Sequence, residues 1–294
     1  MEKFTLGIAQ ICPALGDLEK NLTLHDTMVR EATRQGVDLL LFPELSLTGY
    51  FLKDMVPSVA LTSRDPRLDP LKQASREVAI VVGLVEESPD HRFFNAAAYF
   101  EEGQLRHVHR KFYLPTYGLF DEHRYFAPGE SIQAFDSRFG RIALAICEDL
   151  WHPAVPYIAA LDGAQVILCI SASPGRGLLP ERTFANAAAW EHLNRAYAQL
   201  FTCFLCYCNR VGYEDGTCFW GGSEVIAPTG AVLLKAPQLE ESLLHVTVDR
   251  REVRRERIAN PLLRDERLDL TVRELQRITQ HLQRILRARA EGTP

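Results

Sequence analysis

Short runs of apolar residues, each closed by a polar or charged side chain, recur along the 294-residue chain. The run from Ile142 to Ile146 contains no polar position, which is typical of a strand buried on both faces. The run over residues 37–42 is similar and is broken by Pro43. The first run ends at Cys147 and the second ends at Glu44. The pattern therefore places chemically active side chains at the ends of buried strands.

The spacing of apolar positions predicts an alternation of strands and helices. Predicted strands cover residues 4–11, 37–42, 79–85, 94–100, 105–110, 142–146, 165–170, 201–208, 223–227, 231–235 and 243–248. Predicted helices cover residues 18–34, 69–77, 153–161, 181–200, 250–258 and 271–290. Because βα units mix with hairpins in two rough halves, we expect an α/β fold. The expected architecture is a four-layer α-β-β-α sandwich of two mixed sheets, in a single domain over residues 1–294.

The composition is that of an ordinary soluble protein, with 47% hydrophobic and 24% charged residues. A net charge of −5 does not favour a nucleic-acid-binding surface. The sequence has no apolar run long enough for a membrane span and no signal-peptide core after Met1. Seven cysteines, an odd number, are typical of a reducing compartment. We therefore predict a cytoplasmic protein that binds neither nucleic acid nor membrane.

Cys147 has two interpretations. Free cysteines are commonly buried and inert, and only their surroundings make them reactive. Two other strand-like runs end in charged residues, Glu44 and Lys111, and this shifts the interpretation toward chemistry. The ends of parallel strands converge on one edge of a sheet, where sites form. The three side chains are therefore candidates for a single site.

A cysteine nucleophile needs a base that takes its proton and donors that hold the developing oxyanion. A desolvated Glu44 carboxylate could take the thiol proton and later protonate a leaving amine. The Lys111 cation and the backbone N–H of Glu148 could hold the oxyanion. His109, two residues before Lys111, stays an alternative base. His152 is interpreted as a surface or supporting residue.

Two patterns of potential metal ligands favour packing over metal binding. The spacing Cys203-x-x-Cys206-x-Cys208 fits a buried strand, and no second pair completes four zinc ligands. His107 and His109 would share one face of a strand, without a third ligand. We therefore predict no metal site.

Three segments resemble the signature blocks of the nitrilase superfamily of carbon–nitrogen hydrolases. They lie at residues 42–50, 109–111 and 147–151, in the order found in that family. The resemblance implies a catalytic triad of Glu44, Lys111 and Cys147, a thioester intermediate, no metal and no cofactor. It also implies the four-layer sandwich and a homodimer or higher homo-oligomer, with the helix at 271–290 in the dimer contact.

A narrower resemblance is to the glutaminase domain of glutamine-dependent NAD synthetases. It lies in residues 111–126, 147–151, 171–176, 209–215 and 219–223. By this resemblance, Glu122 would organise the site, and the glutamine pocket would be lined by Tyr117, Phe120 and Trp151. Ser173 and an arginine would hold the α-amino and α-carboxylate groups. Arg176 has the motif position, and Arg182 competes with it.

The expected function is the hydrolysis of a small primary amide, with L-glutamine as the expected substrate. NAD synthetases of this type carry an ATP-using domain with a Ser-Gly-Gly loop, which does not occur in this sequence. We therefore expect either ammonia transfer to a separate NAD synthetase or a free-standing amidase. Alternatives are a subunit that is active only when docked to such a partner, and a hydrolase of N-carbamoyl amino acids, ω-amides or nitriles.

Overall fold

The computed structural model describes residues 1–177 and 184–290. Its first strands are β1 (Lys3–Gln10), β2 (Leu39–Leu41), β3 (Ala79–Glu87), β4 (Phe93–Glu101), β5 (Gln104–Arg110), β6 (Ala134–Ser137) and β7 (Gly140–Ile146). The later strands are β8 (Val166–Ser171), β9 (Phe204–Asn209), β10 (Val211–Glu214), β11 (Thr217–Trp220), β12 (Glu224–Ile226), β13 (Val232–Lys235) and β14 (Ser242–Asp249). The helices are α1 (Leu18–Arg34), α2 (Val56–Val59), α3 (Asp69–Ala74), α4 (Ala154–Leu161), α5 (Ala185–Leu200), α6 (Arg251–Ala259) and α7 (Leu268–Ala290).

Two six-stranded sheets contain most of these strands. The first has the order β14-β1-β2-β3-β4-β5, and the second has the order β13-β12-β9-β8-β7-β6. Parallel pairs occupy the middle of each sheet, β1 to β3 in the first and β7 to β9 in the second. Antiparallel strands flank them on both sides. The predicted α/β fold with two mixed sheets is therefore confirmed.

The alternation of side chains along β2 explains the layering. Leu39 and Leu41 pack in one core cluster with residues of β7, β8 and β9 from the second sheet. Leu40 points the opposite way, into a cluster with Val29 and Ala32 of α1. Residues of α4 and α5 pack on the second sheet within the first cluster. The four layers therefore follow from strands that are apolar on both faces.

Several boundaries differ from the prediction. The strand predicted over 201–208 begins at Phe204, because residues 201–203 form a turn after α5. The C-terminal helix begins at Leu268, before the predicted residue 271. The start predicted for α5, at residue 181, lies outside the described residues. The short strands β6, β10 and β11 were not predicted, because the four residues of each carry little periodicity.

The structure bears on two further expectations. Among the helices of the described residues, none combines the length and hydrophobicity needed to cross a bilayer. All seven cysteines carry free thiols. The cytoplasmic location stays a prediction.

Candidate active site

Three chain segments that leave strands bring Glu44, Lys111 and Cys147 together. Glu44 follows β2, Lys111 directly follows β5 of the same sheet, and Cys147 directly follows β7 of the second sheet. Lys111 Nζ lies 2.7 Å from Glu44 Oε1. The charges of Glu44 and Lys111 both act on the Cys147 thiol. The predicted convergence of the three side chains therefore occurs where the two sheets meet.

Gly83 of β3 allows the chain to carry Glu44 into the site. A Cβ atom at this position would lie 2.2 Å from the Leu45 nitrogen and 2.6 Å from the Pro43 oxygen. Real Cβ atoms do not approach backbone so closely, so any side chain here would displace the Glu44 segment. Glycine inside a strand often marks such a close approach. The glycine at position 83 is therefore a sequence signal for this contact that the prediction missed.

Both carboxylate oxygens of Glu44 are held by neighbours. Oε1 accepts hydrogen bonds from Lys111 Nζ and from Asn95 Nδ2 of β4, each at 2.7 Å. Oε2 accepts a hydrogen bond of 2.7 Å from the backbone N–H of Ala172, which follows β8. Glu44 is therefore fixed to both sheets. Sequence reasoning missed both contacts, because Asn95 lies in no recognised motif and Ala172 binds Glu44 only through its backbone.

Lys111 lies between two buried carboxylates. Its Nζ is 2.7 Å from Glu44 and 2.6 Å from Glu122 Oε1, which also accepts a hydrogen bond from Tyr50 Oη at 2.5 Å. Burial by itself lowers the pKa of Lys111, but the charges of Glu122 and Glu44 outweigh it and hold that pKa well above its usual value. Lys111 is therefore a permanent cation at neutral pH.

Glu122 is a buried acid whose protonation depends on pH near neutrality. Burial raises the pKa of Glu122 to about 7, with Lys111 opposing the rise and Glu44 adding to it. Because the pKa of Glu122 is higher in the folded chain than in the unfolded chain, protonation of Glu122 stabilises the fold. This contribution to the free energy of unfolding is fully present below the unfolded pKa of about 4.5. That contribution is lost as the pH rises through about 7.

Replacing Glu122 by glutamine is expected to flatten this dependence. The wild-type free energy of unfolding should fall by roughly 2–4 kcal/mol between pH 4.5 and 7.5 through Glu122, and the variant should lack this term. Urea unfolding at four pH values in this window measures both curves. Cys147→Ala, which leaves Glu122 and its neighbours in place, is the control and should keep the wild-type slope. Parallel curves for Glu122→Gln and wild type would contradict the assignment.

Cys147 occupies a strained backbone position. Its φ is 44°, in the left-handed region that non-glycine residues rarely adopt, and it opens a 3₁₀-helix over Cys147–Trp151. Glu148 lies in the first turn of this helix, where backbone N–H groups have no acceptor within the helix. Burial raises the pKa of the Cys147 thiol well above its usual value, Glu44 adds to the rise and Lys111 opposes it. The thiol is therefore protonated at rest, and it would need a base in order to act as a nucleophile.

A small cavity opens onto Cys147. Most of the predicted substrate-binding residues line it, namely Tyr117, Phe120, Trp151, Ser173 and Arg176, together with Glu148, Pro174, Asn186 and Trp190. Glu122 lies instead beside Lys111, away from this lining. Ser173 Oγ accepts a hydrogen bond from Trp190 Nε1 at 3.0 Å. The predicted pocket residues are therefore brought together around the sulfur.

Side chains of opposite charge, Glu148 and Arg176, line this cavity. The Glu148 carboxylate accepts a hydrogen bond of 3.0 Å from Tyr117 Oη. The Arg176 guanidinium carbon lies 4.5 Å from the Phe120 ring centre and 5.3 Å from that of Tyr117. Arg176 Nη2 is buried, without a hydrogen-bond partner among the described residues. The competing Arg182 lies outside the described residues. Sequence reasoning used only the backbone of Glu148 and missed its side chain.

The two histidines near the motifs are engaged elsewhere. His109 Nε2 lies 2.8 Å from Asp149 Oδ2 rather than on the Cys147 sulfur. The His152 ring stacks on Tyr113 with 3.4 Å between ring centres. In residues 1–177 and 184–290, no group of three or more His, Cys, Asp or Glu side chains is arranged to hold a metal ion. With both histidines engaged elsewhere, Glu44, which contacts Lys111, is the candidate base for the Cys147 thiol.

Comparison with known proteins places the chain in a family. Residues 5–257 match the family model of carbon-nitrogen hydrolases. A glutamine-dependent NAD(+) synthetase from Thermotoga maritima is 33% identical over 267 residues, covering 89% of this chain and 45% of that protein. An N-carbamoylputrescine amidase from Arabidopsis thaliana is 25% identical over 272 residues, covering 86% of this chain and 89% of that protein.

A solved structure agrees with these matches. A carbon-nitrogen hydrolase from Helicobacter pylori G27 superimposes with a TM-score of 0.82 at 25% identity, covering 93% of this chain and 98% of that one. The chain spans less than half the length of the Thermotoga maritima synthetase. The matches therefore support the fold and the class of enzyme over most of the chain. The chain belongs to the carbon–nitrogen hydrolase family of the nitrilase superfamily, and it is a carbon–nitrogen hydrolase.

Proposed function

We propose that this hydrolase cleaves a small primary amide, with L-glutamine as its substrate, through Cys147. The observation that carries the proposal is the buried contact of 2.7 Å between Glu44 and Lys111 beside the Cys147 thiol. A base and a cation are thereby held next to one nucleophile. This is the minimum set for acyl transfer from nitrogen to sulfur.

The proposed reaction has two halves. Glu44 takes the proton of Cys147 Sγ as sulfur bonds to the amide carbon, and Lys111 Nζ with the Glu148 N–H holds the oxyanion. The C–N bond then breaks, and Glu44 returns its proton to the leaving nitrogen, which departs as ammonia. Water next attacks the thioester while Glu44 takes a proton from it. The C–S bond breaks, the thiol regains its proton, and the acid product leaves.

The charged side chains that line the cavity support an amino-acid amide as substrate. The Glu148 carboxylate would attract an α-ammonium group. Arg176 Nη2, which is buried without a hydrogen-bond partner among the described residues, would donate to an α-carboxylate. The rings of Tyr117 and Phe120 hold the guanidinium in place. A small neutral amide would use neither charge.

Replacing Arg176 by methionine should therefore discriminate between substrates. We expect kcat/KM for glutamine to fall by about 10–100-fold, because a hydrogen bond to a charged group contributes about 1.5–3 kcal/mol. Turnover of butanamide should change little. Arg195→Met, at an exposed position on α5, is the matched control. Ammonia release is measured for Arg176→Met and Arg195→Met, each with glutamine and with butanamide. Equal losses on both amides would exclude carboxylate recognition by Arg176.

The similarity to the Thermotoga maritima NAD(+) synthetase suggests where the released ammonia goes. We propose that the chain supplies ammonia to a separate NAD synthetase, since the relative it matches is a glutamine-dependent NAD(+) synthetase. An ammonia-dependent synthetase supplied with glutamine should form NAD only when this chain is added. The ratio of glutaminase rates with and without the synthetase tests whether docking is needed. Equal rates would exclude a subunit that is active only when docked.

A second candidate substrate class keeps the same three side chains. The match to an N-carbamoylputrescine amidase favours N-carbamoyl compounds as the alternative to glutamine. ω-Amides and nitriles complete the alternatives. Rates on glutamine, asparagine, an N-carbamoyl amino acid and a simple nitrile decide among them. Activity confined to the N-carbamoyl compound would overturn the glutamine proposal.

We further propose a homodimer in which α7 contributes to the contact. Apolar side chains repeat along this helix at intervals of three or four and stay solvent-exposed in the single chain, as at Leu275, Ile278, Leu282 and Ile285. Such a stripe is stable in water when another surface covers it. Light scattering of the full chain should give twice the mass of one chain, and a monomer at micromolar concentration would exclude this contact.

A further inference from the structure

The carboxylate of Asp149 is a fully buried group that has no part in the proposed reaction. Its Oδ1 accepts hydrogen bonds from the backbone N–H groups of Phe112 at 2.9 Å and Tyr113 at 3.0 Å. Its Oδ2 lies 3.0 Å from the Ile146 nitrogen and 2.8 Å from His109 Nε2. Four groups therefore converge on one side chain, two on each oxygen.

These four groups belong to the chain segments that carry two of the proposed catalytic residues, Lys111 and Cys147. Phe112 directly follows Lys111, and His109 precedes it by two positions on β5 of the first sheet. Ile146 is the last residue of β7 in the second sheet and directly precedes Cys147. One carboxylate thus ties the backbone around the lysine to the backbone before the cysteine.

Cys147 is the residue that most needs such support. Its positive φ of 44° is unfavourable for a non-glycine residue and persists only where neighbouring structure enforces it. The bond from the Ile146 N–H to Asp149 Oδ2 closes the turn that contains the cysteine. The same carboxylate holds the segment that begins with Lys111.

We propose that Asp149, supported by His109, is a positioning residue that fixes the Lys111 ammonium relative to the Cys147 sulfur. The inference rests on the proposed role of Cys147 as nucleophile. Asp149 acts through the backbone and does not touch the substrate. A displacement of about 1 Å between reacting groups can lower a rate about 100-fold, so the effect should appear in kcat.

The carboxylate group matters because four donors lie around it, two on each oxygen. An asparagine has one accepting oxygen and one donating nitrogen. It can therefore accept hydrogen bonds from only one of the two pairs of donors. In Asp149→Asn, the Phe112 and Tyr113 N–H groups or the Ile146 N–H would face another donor. The variant changes no volume and leaves the cavity lining intact.

The experiment compares Asp149→Asn and His109→Ala with wild type. We expect kcat per reactive Cys147 to fall about 100-fold in Asp149→Asn and about 10-fold in His109→Ala, with KM within about threefold. His109→Gln should recover most of the second loss, because its amide nitrogen can donate where His Nε2 does. Mass spectrometry after exhaustive alkylation gives the fraction of molecules with a reactive Cys147.

Glu101→Gln is the matched control. Glu101 is a buried carboxylate that accepts a hydrogen bond from Tyr99 Oη at 3.0 Å. It lies six residues along β4 from Asn95, about 20 Å at 3.3 Å per residue, so it is remote from the site. Its replacement should leave kcat per reactive Cys147 unchanged, even where thermal stability falls.

A second readout requires no substrate. The rate at which iodoacetamide alkylates Cys147 follows the thiolate fraction, which depends first on burial of the thiol and then on the charges of Glu44 and Lys111. Because the Lys111 charge lowers the pKa of the thiol, moving Lys111 away should raise the pH of half-maximal alkylation. This profile still tests Asp149 if wild type hydrolyses no amide, an outcome that would count against the proposed function alone.

The outcomes separate positioning from a purely structural role. Wild-type kcat per reactive Cys147 together with a wild-type alkylation profile, in both Asp149→Asn and His109→Ala, would overturn the proposal. Should Asp149→Asn fail to fold, His109→Ala decides by the same two measurements. A loss in His109→Ala that His109→Gln reverses supports it.

Discussion

Replacement of Cys147 by alanine is expected to lower ammonia release from the best amide by at least about 10⁴-fold. The loss should be nearly complete because the three side chains act as a unit, and the remaining two cannot form a thioester. KM of the residual activity carries no information, so binding is measured separately by calorimetry. Substrate affinity should change little, since the cavity keeps its other lining residues.

Cys206→Ala is the matched control for this change. Cys206 is a fully buried thiol in β9 of the same sheet, and it does not line the cavity. Its loss should cost some stability and leave kcat near the wild-type value. Mass spectrometry of wild type with a glutamine-analogue electrophile should show one adduct, on Cys147. Undiminished turnover in Cys147→Ala would exclude Cys147 as the nucleophile.

Replacement of Lys111 by methionine should remove activity and much of the stability together. The change leaves Glu44 and Glu122 buried with no cation between them, and breaking a buried pair in this way costs about 3–5 kcal/mol. Turnover should fall about 10³-fold or more, because the oxyanion loses a charged donor. Urea unfolding and ammonia release measure the two effects.

The stability loss in Lys111→Met should grow with pH. Lys111 holds down the pKa of Glu122, so its removal raises that pKa further. The folded variant then binds protons that the unfolded chain releases, and its stability falls as the pH rises from 5 to 8. Lys235→Met is the control, because Lys235 Nζ also contacts two carboxylates, each at 2.8 Å, but is partly exposed. Its loss should be smaller and should spare activity. A pH-independent loss in Lys111→Met would contradict the account.

Much of the site could be predicted because strand ends are visible in a sequence. Glu44 and Cys147 each follow an apolar run, and Lys111 follows a strand-like run that contains polar residues. All three lie in segments with a recognisable pattern. The pocket residues Tyr117 and Trp151 came from resemblance to a known branch of the family, and both line the cavity. Their roles in catalysis and binding stay predictions.

The supporting contacts could not be predicted. Ala172 binds Glu44 through its backbone N–H, so its side chain carries no trace of the contact. Asp149 lies in the segment at 147–151 and was given no role from the sequence, yet it accepts hydrogen bonds from donors 36 to 40 residues away. Glu148 contributes a side chain to the cavity because the 3₁₀-helix turns it there.

By itself, the sequence determined the order of strands and helices, the apolar faces that form the two sheets, and the three reactive strand ends. These properties depend on local periodicity and on residue type, which any stretch of chain displays directly. The tertiary structure alone decided which backbone groups meet those side chains, that Arg176 and Glu148 line one cavity, and how buried Glu122 is. Distances across two packed sheets and the desolvation of charges arise from the assembled chain, and no local segment encodes them.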